Sequence, residues 1–596
     1  PPAESLREIQ IIRGAASLQY GTQFGGLLNF IIKSPVSEKE FEIISRNTIG
    51  SYNLYTNYTS LSGTKDKFSY LIFLNYKKGD GYRLNSNFKS NNTFINFNYK
   101  LNNQSILKLD LTYLNYLAQQ GGGLSDKMFR ENPYQSNRSR NWFGLDWFIY
   151  NLKFESDVTE KSKFSINFFG LKAQRNSIGF RSNRVDQIDP LTERDLISGK
   201  FNNYGLETRF LKKYLLLNKK STLLIGAKLY NSRNKSEQGP GSNESDADFN
   251  FKYSNFPNYS NQSNYLYPNA NTSLFAENIF YLSKTFSLTP GFRIEKIKTE
   301  SDGYYKKINQ DAAGNVILNQ TIDNSEIKKR SFILFGVGMS YKPSNFVELY
   351  ANISENYRSV TFSDISILNP SYSINRNITD ENGNTIDLGI RGKFKTLISY
   401  DLSLFNLNYK NRIGFVQKAT KYGNVKSERG NVGDAAIYGI ESLIDFNLKR
   451  ILSLENSFIL NFFINSSFID SQYVKSEIPG VKGKRVEFIP KKNFKTGIRF
   501  GYNNLMLSFQ YTYLSNQFTD SSNAIEGNLS GVIGEIPAYK VSDISTSYNT
   551  KKMKFEIGVN NLFNETYFNR RATGYPGPGI IPSSPRTSYL TIQIKI

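Results

Sequence analysis

The chain has 596 residues and a net charge of +23, from 74 Lys and Arg against 51 Asp and Glu. It contains no cysteine and no histidine, which excludes disulfides, thiolate metal sites, Ser-His-Asp and Cys-His triads, and His-ligated zinc or haem. Any enzyme chemistry would have to use carboxylates, Lys or Tyr, and we expect any metal handled here to be held by a chelator and not by the protein as a resident cofactor.

The first 35 residues do not alternate between polar and apolar side chains. Residues 7–12 are a short apolar run ending at Arg13-Gly14, residues 15–20 fit one helical turn, and residues 27–32 are a second apolar run. This strand–helix–strand piece is predicted to be small and globular. We place a domain boundary after residue 35.

Beyond residue 36, apolar and polar side chains alternate in many short segments, such as 107–113, 553–559 and the C-terminal 589–596. Successive side chains of a β-strand point to opposite faces, so each segment is a ribbon with one apolar face. So many two-faced ribbons cannot share one small core. They predict an all-β fold, a transmembrane antiparallel β-barrel that is apolar outside and wet inside.

Short connectors rich in turn-forming residues alternate with long polar ones. The short connectors are 63–67, 101–104, 159–162, 342–345 and 549–552. The long ones are 119–142, 176–203, 236–270, 302–328, 356–385, 411–433, 471–484, 520–537 and 564–586. Short turns at one end and long loops at the other are typical of outer-membrane barrels, and the segments between them predict about 22 strands. The triplet Gly121-Gly122-Gly123 lacks the Lys-Ser/Thr of a phosphate loop and is interpreted as a flexible loop.

Hydropathy and charge agree with a barrel. The mean hydropathy is −0.46, and no apolar run approaches the roughly 18 residues of a membrane helix. The positive surplus suits a rim facing anionic lipopolysaccharide, or a lumen and loops facing an anionic solute. No compact basic helix or nucleic-acid motif is present, so no nucleic-acid partner is expected.

Several segments carry a resemblance to a known family. Residues 8–21 (EIQIIRGAASLQYG) and 25–33 (GGLLNFIIK) resemble the end of the plug domain of TonB-dependent outer-membrane receptors. Residues 560–567 (NNLFNETY) resemble the penultimate-strand signature of that family. The loop 570–579 and the terminal strand resemble the ferric-dicitrate receptor subgroup, and the stretches 135–143, 354–364 and 430–434 agree with it.

The resemblance implies that residues 1–35 are the C-terminal remnant of a plug domain and residues 36–596 the receptor β-barrel. Most of the plug, a signal peptide and a TonB box are not in the sequence. We therefore expect a fragment or a truncated gene product. The family usually ends on Phe, whereas this chain ends on Ile596.

The same resemblance implies active uptake without catalysis, in the outer membrane of a Gram-negative bacterium. The implied ligand is an anionic ferric chelate, ferric citrate or a carboxylate siderophore, in which the iron is held by the chelator and not by the protein. The implied partners are the TonB–ExbB–ExbD complex, reached through the missing N-terminal part, the ferric chelate, and outer-membrane lipid and lipopolysaccharide.

Arginine suits an anionic chelate because its planar guanidinium can clamp a carboxylate bidentately. In ferric-dicitrate receptors, arginines on the part of the barrel that corresponds to the loop 176–203 contact the ligand. The resemblance therefore indicates ligand-binding roles first for Arg175, Arg181 and Arg184, and next for Arg358 and Arg429. The alternative is that such arginines bind lipid phosphates or pair with nearby acids, here Asp186, Asp189 and Asp195.

Arg13 is assigned a second role by the resemblance. In the family, an arginine at the Arg-Gly step of the plug meets carboxylates of the barrel wall, and the matching positions here are Asp387 and Glu441. A partly buried pair of this kind would act as a plug–barrel latch. The alternative is that Glu441 simply lines a wet lumen.

Other functions remain open. The same architecture could take another siderophore, cobalamin or an oligosaccharide. A passive porin is a third possibility. The segment around Arg13-Gly14 argues against it, because this segment resembles a plug and porins have none. A barrel enzyme such as a lipase or protease would lack the histidine that its usual mechanisms need.

Overall fold

The strands of the chain close into one barrel. The computed structural model describes residues 1–12, 18–21, 24–182, 184–360, 372–375, 377–419, 425–574 and 577–596. Its wall is a ring of 22 antiparallel strands. The ring closes where the last strand, Thr587–Lys595, pairs with the first, Glu42–Gly50. The predicted barrel of about 22 strands is confirmed.

The wall strands follow one another in chain order. They are Glu42–Gly50, Leu54–Lys65, Phe68–Gly79, Phe88–Lys100, Ser105–Gln119, Trp142–Thr159, Ser162–Gly179, Asp195–Leu216, Lys219–Pro240, Ser263–Tyr281, Phe286–Gln310, Val316–Ser344, Val347–Arg358, Glu381–Phe394, Ile398–Ala419, Val425–Asn447, Phe458–Lys475, Lys492–Tyr502, Leu505–Leu514, Tyr539–Asn549, Met553–Asn560 and Thr587–Lys595.

The remaining elements are short. Near the N-terminus, a 3₁₀ turn at Ala3–Ser5 precedes an antiparallel hairpin of Leu6–Ile12 and Leu27–Ile32. The other short strands are Tyr372–Ile374, Gln517–Phe518, Glu535–Ile536, Phe568–Ala572 and Gly579–Pro582. The helices among the described residues are Asp126–Glu131 and Leu448–Ile451. Within the described residues, no helix is long and apolar enough to cross a membrane. Of the helical turn predicted at 15–20, residues 15–17 lie outside the described residues, and residues 18–20 form a turn. The domain boundary after residue 35 stays a prediction.

The terminal strand has the two faces that its alternation predicts. Ile592 and Ile594 are 37% and 40% exposed on the outer face. Thr591, between them, is buried, and its hydroxyl lies 2.8 Å from the hydroxyl of Thr48 on the neighbouring strand. The closing seam of the barrel is therefore apolar outside and polar inside.

The two ends of the barrel differ as predicted. All five short connectors lie at one end, which we call the turn end, where for example residues 66–67 and 160–161 join neighbouring strands. We call the opposite end the loop end, and six of its loops lie at the candidate functional site. They are loop A (80–87), loop B (120–141), loop C (180–194), loop D (241–262), loop E (515–538) and loop F (561–586).

Two predicted loops are wrong in extent. The region 302–328 is mostly strand, because Phe286–Gln310 and Val316–Ser344 stay paired from Phe286↔Tyr341 to Gln310↔Val316. The region 411–433 is likewise mostly the paired strands Ile398–Ala419 and Val425–Asn447. Beyond the apolar band these segments are mostly polar, with isolated buried apolar side chains such as Ile308 and Ile413. The backbone ladder therefore continues without the sustained alternation that marks the other strands in the sequence.

Candidate functional site

Loops B, E and F share a small hydrophobic core at the loop end. Leu124, Ile536, Phe568 and Ile580 are all at most 4% exposed and pack together, with Met128 and Phe129 against them. Burial of apolar surface is the main stabilising term in folding, so these loops form one structured unit, which we call the loop cap.

Buried arginines join the loops of the cap to one another and to loop C. Arg571 of loop F grips Asp126 of loop B with both ends of its guanidinium, at 2.6 and 2.9 Å, and donates to the carbonyl of Glu535 in loop E. Arg194 of loop C donates to the carbonyl of Arg140 in loop B at 2.9 Å. The cap is thus held by charge-assisted hydrogen bonds as well as by its core.

The glycine triplet of loop B is packed rather than flexible, which corrects the sequence interpretation. Arg83 of loop A donates to the carbonyl of Gly122 at 3.0 Å. A Cβ on Gly123 would lie 2.0 Å from the carbonyl oxygen of Pro578 in loop F. Gly123 is needed because two loops touch there.

Arg175 faces the lumen just below the cap. It pairs across the sheet with Leu145 on one side and Gly199 on the other. It lies on the same face as Arg209, because the register between these two strands is unbroken and Arg209 binds Gln19 of the N-terminal segment inside the barrel. The side chain of Arg175 stacks over the ring of Phe201, 5.7 Å from its centroid.

Aromatic rings surround Arg175 on the same face. Tyr116 pairs with Leu145 and lies 6.2 Å from the ring of Phe143. Trp147 is 36% exposed to the lumen. We call Tyr116, Phe143, Trp147, Phe201 and Arg175 together the aromatic wall. Among the described residues no carboxylate forms an ion pair with Arg175, so its charge is available to a solute.

Arg181 and Arg184 are both engaged with acids. Arg181 lies 2.6 Å from Asp195, and the two side chains are 8% and 3% exposed. Asp195 also accepts a hydrogen bond from Tyr259, and burial together with this carboxylate raises the pKa of Tyr259 above its usual value. Arg184 pairs with Asp186 at 2.7 Å, and both side chains are about half exposed.

Arg358 and Arg429 lie on the other side of the lumen. Arg358 pairs with the buried carboxylate of Glu381 at 2.7 Å. Arg429 stacks over Phe415 at 5.7 Å. The structure therefore does not gather the five predicted arginines around one point. Their ligand-binding roles stay predictions.

The two predicted latch carboxylates lie on one stretch of the lumen wall. Asp387 pairs with Phe405, and Glu441 pairs with Ser403, two residues away on the same strand and therefore on the same face. Glu441 and Ser403 line a lumen cavity of about 660 Å³. Arg13 lies outside the described residues, so the latch stays a prediction.

The described part of the N-terminal segment is held by a different part of the wall. Arg293 donates to the carbonyl of Leu18 at 3.0 Å, and Arg209 donates to Gln19 at 2.6 Å. Gln19 in turn donates to Glu277 at 2.9 Å. We call Arg209, Glu277, Arg293 and Glu295 the wall clamp.

Sequence reasoning missed the wall clamp. Its contacts join residues far apart in the chain, with Leu18 and Arg293 separated by 275 positions. A weak signal was present in the pairs Glu207/Arg209 and Arg293/Glu295, since opposite charges two residues apart share one face of a strand. Arg293 and Glu295 are indeed buried and 2.5 Å apart.

No metal site is formed by the protein in the part of the chain that the structure describes. No group of three or more His, Cys, Asp or Glu side chains there could hold a metal ion.

A closed barrel of 22 strands with a segment of chain held in its lumen is the architecture of plugged outer-membrane transporters. Residues 37–562 match the family described as TonB dependent receptor-like, beta-barrel. The chain belongs to this family, whose members are transporters and not enzymes.

Solved structures give the same fold. The ferric citrate transporter FecA in its unliganded form is 18% identical, with a TM-score of 0.78 over 99% of this chain and 83% of that one. The ferric yersiniabactin receptor FyuA from Yersinia pestis is 14% identical, with a TM-score of 0.78 over 99% and 85%. The ferric-catecholate receptor Fiu from E. coli K12 is 13% identical, with a TM-score of 0.74 over 99% and 86%. No curated protein matches the sequence significantly.

Proposed function

We propose that the chain is an outer-membrane receptor-transporter that binds an anionic ferric chelate, ferric citrate or a carboxylate siderophore, and imports it with energy from the TonB–ExbB–ExbD complex. The observation that carries this proposal is the aromatic wall. There, Arg175 faces the lumen beneath the loop cap with its guanidinium over Phe201, and it forms no ion pair with a described carboxylate.

The chemistry of Arg175 suits such a ligand. A guanidinium stays charged at every physiological pH and offers a fork of donors that fits a carboxylate. Stacking on Phe201 fixes the plane of the fork, so less side-chain entropy is lost when a ligand binds. The surplus of 74 cationic over 51 anionic residues adds a long-range attraction for anions.

The remaining parts of the proposal follow from uptake of a chelate. The iron belongs to the cargo and stays with its chelator, so the protein needs no resident cofactor. The barrel is surrounded by the lipid and lipopolysaccharide of a Gram-negative outer membrane. Arg181 and Arg358 already hold Asp195 and Glu381, so they would join a ligand only by releasing those acids.

A second candidate ligand is a ferric chelate with aromatic rings. Trp147 is 36% exposed on the lumen face, and Tyr116 and Phe143 stand beside it. Flat rings stack favourably on such side chains, and each aromatic pair contributes about 0.5–1.5 kcal/mol beyond its buried area. Citrate has no ring and would not use these surfaces.

Replacing Arg175 by alanine is expected to weaken binding of ferric citrate roughly ten- to hundredfold, because a hydrogen bond to a charged group contributes about 1.5–3 kcal/mol. The measurement is isothermal titration of the purified protein in detergent. Arg130→Ala is the matched control, since it removes an exposed arginine of the loop-end helix Asp126–Glu131 that has no predicted ligand role, and it should leave the affinity unchanged. Equal affinities of the wild type and Arg175→Ala would remove Arg175 from the site.

A further inference from the structure

Two loops of the loop end clasp each other. One is loop E of the loop cap, and the other comprises residues 476–491, which we call loop G. The amide of Arg485 donates to the side-chain oxygen of Asn523 at 2.8 Å, and the side-chain amide of Asn523 donates back to the carbonyl of Arg485 at 2.9 Å. The amide of Phe488 donates to the carbonyl of Phe518, also at 2.8 Å. We call this contact the E–G junction.

The E–G junction buries two carboxyl groups next to each other. Glu487 lies between the two contact points on loop G, and Asp520 lies between them on loop E, so the two residues stand opposite each other. Asp520 is 0% exposed and Glu487 is 3% exposed. Loop G is fixed at this place because Val481 and Val486 pack among buried apolar side chains of the wall strands.

Glu487 has both a cation and a hydroxyl as partners. Arg412 donates to one of its oxygens at 2.5 Å, and Tyr473 donates to the other at 2.7 Å. Arg412 also donates to the hydroxyl of Tyr473 at 2.9 Å. On the neighbouring strand, Arg429 stacks over Phe415, 5.7 Å from the ring centroid. The positive charge of Arg412 is therefore committed to Glu487.

Asp520 has no such cation in the part of the chain that the structure describes. Its Oδ2 accepts hydrogen bonds from the amide and the hydroxyl of Ser522, at 3.2 and 2.6 Å. Its Oδ1 is buried and has no hydrogen-bond partner among the described residues. A carboxylate in this place would be a buried charge without compensation.

The other charged side chains of the two loops are directed elsewhere. The guanidinium of Arg485 lies over the ring of Phe518, 5.5 Å from its centroid, and donates to the carbonyl of Ile489 at 2.9 Å. Glu535 accepts a hydrogen bond from the side-chain amide of Asn516. The remaining charged residues of loops E and G are exposed, namely Glu477, Lys482, Lys484, Lys491 and Glu526.

These surroundings favour the neutral form of Asp520. Burial is the main cause that raises the pKa of Asp520 above its ordinary value, and the charge of Glu487 adds to it, against the hydrogen bonds from Ser522. A proton is therefore bound more tightly in the closed junction than in an open one. The junction is most stable below the ordinary aspartate pKa of about 3.9 and loses stability as the pH rises from there towards the raised pKa.

We propose that the E–G junction is a proton-controlled contact of the loop cap, closed while Asp520 carries a proton and loosened when Asp520 ionises. Further along loop E, Ile536 lies in the hydrophobic core of the cap. Loosening the junction therefore frees one side of the cap above the lumen, and a solute should enter and leave the lumen more readily at higher pH. This inference rests on the contacts of the two loops and not on the identity of the transported chelate.

The test is hydrogen exchange of the full chain in detergent, from about pH 4 to about pH 8, a range that starts at the ordinary aspartate pKa. Mass spectrometry of peptides from loops E and G gives their protection, with the intrinsic exchange at each pH taken from the same peptides when unfolded. Asp520→Asn keeps the shape of the side chain but cannot ionise. Glu526→Gln is the matched control, since it neutralises an exposed carboxylate of the same loop. Ser522→Ala removes the hydroxyl that donates to Asp520.

In the wild type and in Glu526→Gln, the protection of both loops is expected to fall as the pH rises, by up to about tenfold per pH unit, the limit set by one proton. In Asp520→Asn the protection should not depend on pH. Ser522→Ala should move the fall to higher pH, because it removes a hydrogen bond that favours the ionised form.

A flat profile in the wild type, or the same fall in Asp520→Asn, would overturn the proposal. The Ser522→Ala variant decides the matter even if Asp520→Asn does not fold. A profile that Ser522→Ala leaves in place would show that another group controls the junction, since a purely structural role of Asp520 gives no reason for a shift along the pH axis.

Discussion

Replacing Arg571 by alanine is expected to loosen the loop cap and to speed hydrogen exchange of the helix Asp126–Glu131 about a hundredfold. The side chain of Arg571 is 1% exposed and holds Asp126 at 2.6 and 2.9 Å. Breaking a buried pair from one side costs about 3–5 kcal/mol, and every 1.4 kcal/mol is about tenfold. The cost is expected at the lower end of this range, because Asp126 is 29% exposed and water can partly replace the guanidinium.

The control for this prediction is Arg184→Ala. It also removes an arginine from an ion pair at the loop end, in loop C, but the side chains of Arg184 and Asp186 are 48% and 51% exposed. Exposed pairs contribute about 0–1 kcal/mol, so exchange should quicken by less than about fivefold. Mass spectrometry of exchanged peptides gives both rates. Unchanged exchange in Arg571→Ala, or equal acceleration in the two variants, would show that the cap does not depend on Arg571.

Replacing Arg293 by alanine is expected to lower the free energy of unfolding by about 3–5 kcal/mol, the cost of leaving a buried charge without its partner. Arg293 and Glu295 are 3% and 2% exposed in their side chains and 2.5 Å apart. Arg293 also donates to Ser273 at 2.7 Å and to the carbonyl of Leu18 at 3.0 Å. The variant should therefore also release the N-terminal segment from the wall.

Urea unfolding in lipid vesicles measures the first effect, and limited proteolysis after Leu18 reports the second. The double variant Arg293→Met/Glu295→Met provides the internal control. Replacing a buried ion pair by apolar side chains of similar size is often nearly neutral, so the double variant should recover at least half of the loss in unfolding free energy. A double variant as unstable as the sum of Arg293→Ala and Glu295→Ala would mean that the two side chains act independently.

Much of the barrel could be predicted because its signals are local. The alternation that ends in Ile592 and Ile594 requires only the period of a strand, and turn-forming residues mark the short connectors. The height of the strands beyond the apolar band could not be predicted, since 302–328 is mostly polar and lacks sustained alternation. Its backbone ladder holds it as strand, together with contacts such as the hydrogen bond of 2.7 Å that Ser325 donates to Asp302.

Less of the candidate site could be predicted. The sequence indicates arginine as the residue type, but the role of each arginine depends on contacts across the fold, such as that of Arg571 with Asp126, 445 positions apart in the chain. Arg181 and Arg175 are near neighbours in sequence, yet the first is neutralised by Asp195 and the second faces an aromatic ring in the lumen. Arg181 lies in loop C, beyond the strand that carries Arg175, so its pairing with Asp195 depends on the fold of the loop and not on a local pattern.

The most direct test of the proposed uptake is equilibrium binding of radioactive iron to the purified wild-type chain. Anionic ferric citrate, an anionic ferric siderophore with aromatic rings and an uncharged ferric chelate are compared at low and high salt. We expect saturable binding of an anionic chelate that weakens as salt rises, because salt screens the attraction to Arg175. Preference for the uncharged chelate, or no binding of either anionic one, would contradict the account.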